Sequence, residues 1–186
     1  MKDSIAELKA EVDRLTAEVD AWRGRAEAAE GLSERDVLTP CLNRRGFVER
    51  VEAAMALARR HGTGASLLYI DLDGFKGVND RLGHPAGDAA LIRTAEILSR
   101  GLRASDSVGR LGGDEFAVLL VGTDIEGGRA KAGALVDALR TQGFDWQGVT
   151  RPLRASIGVR DWSGQDEAET WLAEADASMW VMKPKR

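Results

Sequence analysis

Two strand-like runs, 107–111 and 115–121, are separated only by Gly112, Gly113 and Asp114, and that adjacency constrains the fold more than any other feature. A connector this short joins antiparallel neighbours, because a parallel crossover needs a dozen or more residues. The Gly112-Gly113 pair takes positive φ without steric cost and so predicts a tight hairpin turn. Around this hairpin the apolar spacing switches between helical and strand periods. Helical spacing covers 44–60 (Phe47, Val51, Ala54, Met55, Ala58) and 86–102 (Ala90, Leu91, Ala95, Leu98, Leu102), with further helices over about 126–141 and 166–182. Strand-like runs also occupy 66–72 and 153–159. The order helix, strand, helix, strand, strand, helix, strand, helix predicts an α+β fold. Helices are expected to pack on the faces of a mainly antiparallel sheet rather than of a doubly wound parallel one.

Ahead of this part, Ile5, Leu8, Val12, Leu15, Val19 and Trp22 recur in alternating steps of 3 and 4, and Ala26 and Ala29 continue the spacing. β-branched residues at Ile5, Val12 and Val19, with Leu8 and Leu15 at the other seam position, predict a parallel two-stranded coiled coil. Glu18 and Arg23 fall where they can pair across such a dimer. Gly31 and Ser33 break the pattern, so the expected organisation is a dimerising helix over 1–32 and a globular domain over 33–186. Composition closes off other classes. Lys+Arg 26 against Asp+Glu 30 leaves a net charge of -4, which offers no global attraction to a nucleic-acid backbone or an anionic membrane. No run approaches the roughly 18 apolar residues of a membrane span, and MKDSIAELKAEV is too acidic and interrupted for a signal peptide. Cys41 stands alone and cannot form an intramolecular disulfide, so a cytoplasmic location is expected.

Alternation along 66–72 puts Leu67, Tyr69, Asp71 and Asp73 on one face and Leu68, Ile70 and Leu72 on the other. Asp114 and Glu115 follow the glycine pair, where missing side chains let a phosphate approach. If the two strands are neighbours, three or four carboxylates converge. Oxygen donors without a Cys or His cluster suit Mg²⁺ or Mn²⁺ rather than zinc. Because Mg²⁺ completes its shell with water and substrate phosphate, the cluster reads as a nucleoside triphosphate site. Taken singly, an Asp-x-Asp is an ordinary strand end and a Gly-Gly-Asp an ordinary turn.

Their combination is more specific. The chain carries Ile70-Asp71-Leu72-Asp73-Gly74-Phe75-Lys76, then Asn79-Asp80, Gly83-His84, Gly87-Asp88 and Arg110-Leu111-Gly112-Gly113-Asp114-Glu115-Phe116. Leu38-Thr39, Asn43-Arg44-Arg45-Gly46-Phe47, Arg103-Ala104-Ser105-Asp106, Ser156-Ile157-Gly158 and Ala175-Asp176 extend the pattern. Over 36–183 the chain resembles the GGDEF family, the diguanylate cyclases. The resemblance implies a nucleotidyl-cyclase-like fold with a ferredoxin-like βαββαβ core, and condensation of two GTP into cyclic di-GMP with release of two pyrophosphates. Each domain would hold one GTP, and two domains would face each other in a homodimer. It further implies that Asp71, the Leu72 carbonyl and Asp114 hold two Mg²⁺ or Mn²⁺ per active site, with Glu115 beside them. Asn79 and Asp88 would read the guanine edge, His84 would lie near the ribose or base, and Lys76 and Lys183 would meet the phosphates. Arg103 and Asp106 match the family's product-binding inhibitory site; read without the resemblance, they are a local ion pair after a helix end. An inactive domain that senses cyclic di-GMP or GTP, or serves as a dimerising scaffold, is the alternative.

Three departures from the family pattern stand out. Leu38-Thr39-Pro40-Cys41 replaces the usual Leu-Thr-Gly-Leu, fixing φ at Pro40 and removing a backbone donor. The usual Gly-Arg-Asn ending after Lys183 is missing, with Arg186 one residue early, and Trp180 stands where a Tyr is common. Cys41 reads as a small buried hydrophobe, and Trp146, Trp162 and Trp171 as core or core-edge residues.

Overall fold

The computed structural model describes residues 34–179 and, in an N-terminal helical segment, residues 9, 11, 12, 14–16, 18, 19 and 22. The chain divides into two units, Met1–Ser33 and Glu34–Arg186. In the first, Val12, Leu15, Val19 and Trp22 are helical and 58%, 47%, 55% and 60% exposed. Glu18 accepts from Arg14 at 3.4 Å within the helix. Ile5, Leu8, Arg23, Ala26 and Ala29 lie outside the described residues, as do Trp180, Lys183 and Arg186.

The second unit runs α1 (Arg44–His61), β1 (Ala65–Leu72), α2 (Phe75–Leu82), α3 (His84–Ser99), β2 (Ser107–Gly112), β3 (Glu115–Val121), α4 (Ile125–Gln142), β4 (Phe144–Trp146), β5 (Val149–Arg151), β6 (Ala155–Asp161) and α5 (Ala168–Met179). α1 starts where the Asn43 side chain accepts from the Gly46 N–H at 2.9 Å, satisfying one donor of the first turn. It stops at Gly62, whose left-handed backbone lets its N–H return to the Ala58 carbonyl. The main sheet has the order β2-β3-β1-β6 with every neighbouring pair antiparallel. β1 and β2 therefore run the same way through the α2–α3 crossover, and β3 and β6 through α4, which is the βαββαβ arrangement of a ferredoxin-like core.

β1 is central and covered on both sides, so its alternation divides the core in two. Leu68, Ile70 and Leu72 pack with Phe116, Val118 and Leu120 under α3 and α4. Leu67 and Tyr69 pack with Phe47, Val51, Leu119 and Trp171 under α1 and α5. Each fully buried side chain of this kind contributes about 1.5–3 kcal/mol relative to exposure. The β2 edge is covered by the segment ahead of α1. The Leu42 N–H donates to the Val108 carbonyl at 3.0 Å, and Arg110 N–H donates to the Leu42 carbonyl at 2.8 Å, which closes the edge to further pairing.

Two elements depart from the sequence reading. α2 forms between β1 and α3, where the sequence reading assigns no element, and a small β4–β5 hairpin follows α4. Among the described residues no helix is long and apolar enough to cross a membrane.

Candidate functional site

The β1–β3 register sets Asp71 directly opposite Glu115. One residue on, the Leu72 N–H donates to the Asp114 carbonyl at 3.3 Å. Asp71, Asp114 and Glu115 thus gather at one end of the two central strands, all three half-buried. The hairpin turn is displaced by one residue from the expected Gly112-Gly113 pair: Gly112 pairs with Glu115, so Gly113 and Asp114 form the turn and Asp114 sits at its tip. Gly113 has φ 47°, a left-handed conformation that a side chain would resist. The turn is held from outside. Arg110 donates from Nε and Nη2 to the Gly113 carbonyl at 3.0 and 2.7 Å, and from Nη1 to Asp36 at 3.2 Å. Asp36 also accepts from the Thr39 N–H and hydroxyl at 2.8 and 2.7 Å. Burial alone would raise the Asp36 carboxyl, but the Thr39 donors and the Arg110 guanidinium outweigh it and hold the group below its ordinary value.

Asp73 does not join this group. It lies past the end of β1 and accepts from the Ser156 hydroxyl at 2.8 Å, while its N–H donates to the Arg154 carbonyl at 2.9 Å. The strand alternation that placed it beside Asp71 ends at Leu72, and the Asp73 carboxylate bonds to Ser156 of β6 instead. Among the described residues no three Asp, Glu, His or Cys side chains close a ready-made cation cage. The expected convergence of three or four carboxylates is therefore not met as one cation-holding group among the described residues. Below Asp71 on the same face, Tyr69 is 8% exposed. Burial, the nearby Glu115 and Asp176 carboxylates and a hydrogen bond to Glu115 push its phenol up to about 12, so it stays protonated as a donor beneath the site.

Directly after β1, α2 begins at Gly74 with no side-chain cap, leaving its first N–H groups available to an anion a few residues from Asp71. Lys76 stands exposed in that first turn. Asn79, on the inner side of α2, faces Gly87 of α3 so closely that a Cβ at Gly87 would collide with Asn79 Oδ1. That Oδ1 is buried and has no hydrogen-bond partner. An unpaired acceptor in such a place costs stability unless a ligand donor completes it. Asp88 follows Gly87 and is exposed, as is His84 at the start of α3. The fold therefore brings Asn79, His84 and Asp88 to one α2–α3 corner, and Asp71, Leu72, Asp114 and Glu115 to the adjoining sheet end. Lys183 lies outside the described residues. Sequence reasoning assigned no role to Asp36, Arg110 or Tyr69. The Asp-x-x-Thr spacing of a side-chain-capped turn is the one local signal that marked Asp36.

Elsewhere, Arg103 and Asp106 share a turn between α3 and β2. Asp106 N–H donates to the Arg103 carbonyl at 3.0 Å and Asp106 Oδ2 accepts from the Arg103 N–H at 2.9 Å. The contact between the two residues runs through the Arg103 backbone, not through its guanidinium.

Residues 33–186 match the sequence pattern of the family described as the diguanylate cyclase GGDEF domain, and the chain belongs to that family. It is similar to the diguanylate cyclase TpbB of Pseudomonas aeruginosa, with 36% identity over 194 residues covering 96% of this chain and 42% of that protein. A sensory box/GGDEF family protein from Caulobacter crescentus has a similar solved structure, with TM-score 0.75 and 36% identity over 81% of this chain and 98% of that one. So does a microbial GGDEF domain described for its interaction with cyclic di-GMP, with TM-score 0.68 and 32% identity over 78% of this chain and 90% of that one. The chain spans less than half the length of the curated relatives it matches.

Proposed function

We propose that the chain is a diguanylate cyclase that condenses two GTP into cyclic di-GMP across two facing copies. The observation that carries this reading is the β1–β3 register, which sets Asp71 against Glu115 and Leu72 against Asp114 beside the uncapped start of α2. In each half-reaction the 3′ oxygen of one GTP bonds to the α-phosphorus of the other. The bond to the pyrophosphate oxygen breaks, pyrophosphate leaves with the electron pair, and the hydroxyl proton passes to a base. Repetition with the roles exchanged closes the ring and releases the second pyrophosphate.

The residues divide this work. Asp71, the Leu72 carbonyl and Asp114 would hold Mg²⁺ or Mn²⁺, two per site, which when bound neutralise the triphosphate and acidify the attacking hydroxyl. The donors are all oxygen, which fits such a hard cation. Glu115, set opposite Asp71 by the ladder, stands beside Asp114 as a second carboxylate for the proton. Lys76 and the first N–H groups of α2 take the phosphates, with Lys183 in the same role. Asn79 Oδ1 and the Asp88 carboxylate accept from the adjacent N–H donors of guanine, which adenine does not present in that pattern. His84 borders the ribose or base. Residues 1–32 form the parallel coiled coil that raises the effective concentration of one half-site for the other, in a cytoplasmic homodimer with neither nucleic acid nor membrane as a partner. Arg103 and Asp106 bind the product and inhibit; the cyclic di-GMP interaction described for the microbial GGDEF domain supports a product-sized ligand in this family.

Incubating the protein with GTP and Mg²⁺ and separating the products tests the activity. Cyclic di-GMP formation that falls about a thousand-fold in Asp114→Ala is expected, in line with the several kcal/mol a bound cation supplies. Nucleotide binding without turnover in the wild type would favour a sensor instead.

A further inference from the structure

A cavity of about 400 Å³ opens between α1, the segment ahead of it and the turn into β2, and Arg35, Arg50 and Arg103 all line it. That volume is in the range of small-ligand sites. Among the described lining residues Asp106 is the only carboxylate, and its oxygens are engaged with neighbouring donors. Oδ2 accepts from Arg103 N–H, and Oδ1 accepts from Val121 N–H at 3.3 Å and from the Ser105 hydroxyl at 3.4 Å. Asp106 thus shapes the turn without pairing with the guanidiniums around it. Arg50 and Arg103 have no side-chain hydrogen bond or ion pair among the described residues. By contrast Arg45, on the same helix as Arg50, pairs with Glu49 at 3.2 Å. Arg35 donates to the Pro40 carbonyl at 2.8 Å, which makes the proline turn part of the cavity wall.

Two unpaired guanidiniums facing one cavity repel each other unless an anion lies between them. Each offers a planar fork suited to two phosphate oxygens. We infer that Arg50 of α1 is a second phosphate ligand in this cavity, so that Arg50 and Arg103 each take one phosphodiester of a cyclic dinucleotide, with Arg35 closing the wall. The inference rests on the reading of Arg103 and Asp106 as the product site and adds to it a ligand on a different element. Binding there ties α1 to the α3–β2 turn.

Calorimetric titration of the full chain with cyclic di-GMP tests it. Arg50→Ala is expected to weaken binding at least about ten-fold, as loss of a charge-assisted hydrogen bond does. Arg50→Lys is expected to recover only part of the loss, because an ammonium cannot form the fork. Thermal midpoints within about 2 °C of wild type would show that both variants fold. Lost affinity in Arg103→Ala with wild-type affinity in Arg50→Ala overturns the inference and leaves the product-site reading standing. Wild-type affinity in both variants overturns both.

Discussion

The acidic end of the sheet and the arginine-lined cavity are both polar sites, but they are built by different means. Asp71 and Glu115 are placed by a backbone ladder, and Asp114 by a turn that Arg110 holds through two hydrogen bonds to one carbonyl. The guanidiniums of Arg50 and Arg103 stand on exposed side chains of a helix and a turn, and only the backbone beneath Arg103 is fixed, by Asp106. The contrast fits the roles proposed for the two sites. Cation-assisted phosphoryl transfer tolerates errors of about half an ångström, whereas long cationic side chains meeting a dinucleotide adjust to it on contact.

Removing the Arg110 clamp should separate the two regions most sharply. Arg110 and Asp36 are each only 15% exposed in their side chains, so Arg110→Ala leaves a half-buried carboxylate without its cation. A loss of about 2 kcal/mol is expected, which corresponds to a fall in Tm of roughly 5 °C for a domain of this size. GTP turnover should fall by roughly ten- to a hundred-fold as the tip carrying Asp114 loosens. Arg103→Ala, by contrast, should shift Tm by no more than about 2 °C, because the exposed guanidinium anchors nothing. Equal destabilisation in the two variants would break the comparison.

A smaller effect concerns acid. Because the Asp36 carboxyl is held below its ordinary value, its contribution is present above the unfolded carboxylate range and is lost as pH falls through the folded value. Asp36→Asn keeps an acceptor for Thr39 but loses the charge facing Arg110. Its Tm deficit against wild type should therefore be largest near about pH 6 and shrink toward about pH 3. Parallel melting curves across that span would show that the charge at Asp36 has no part in holding the turn.

Much of this architecture could be read from the chain before any coordinates. The period of two along 66–72 placed Leu67 and Tyr69 opposite Leu68 and Ile70, and the short hairpin connector required an antiparallel sheet. α2 escaped notice because its eight residues, interrupted by Gly77, are shorter than the window over which helical spacing can be counted. The β4–β5 hairpin escaped because its strands have three residues each and its turn uses Gln147 at φ 52°, where Asn or Asp would have signalled the turn. At the site, residue types and spacing marked Asp71, Asp114 and Glu115, but not that Asp73 swings to Ser156 or that Asp114 occupies the tip. Those outcomes depend on where β1 ends and on a one-residue register shift between Arg110 and Gly112, which pairing decides and local sequence does not.

Mn²⁺ binding followed by electron paramagnetic resonance, with a non-hydrolysable GTP analogue present, tests the pairing of the β1 and β3 carboxylates most directly. The expected result is a nucleotide-dependent bound Mn²⁺ signal in the wild type that is lost in both Asp71→Ala and Asp114→Ala while their folds persist. An undiminished signal in either variant would show that Asp71 and Asp114 do not serve one cation site, and the cyclase assignment would lose its structural basis.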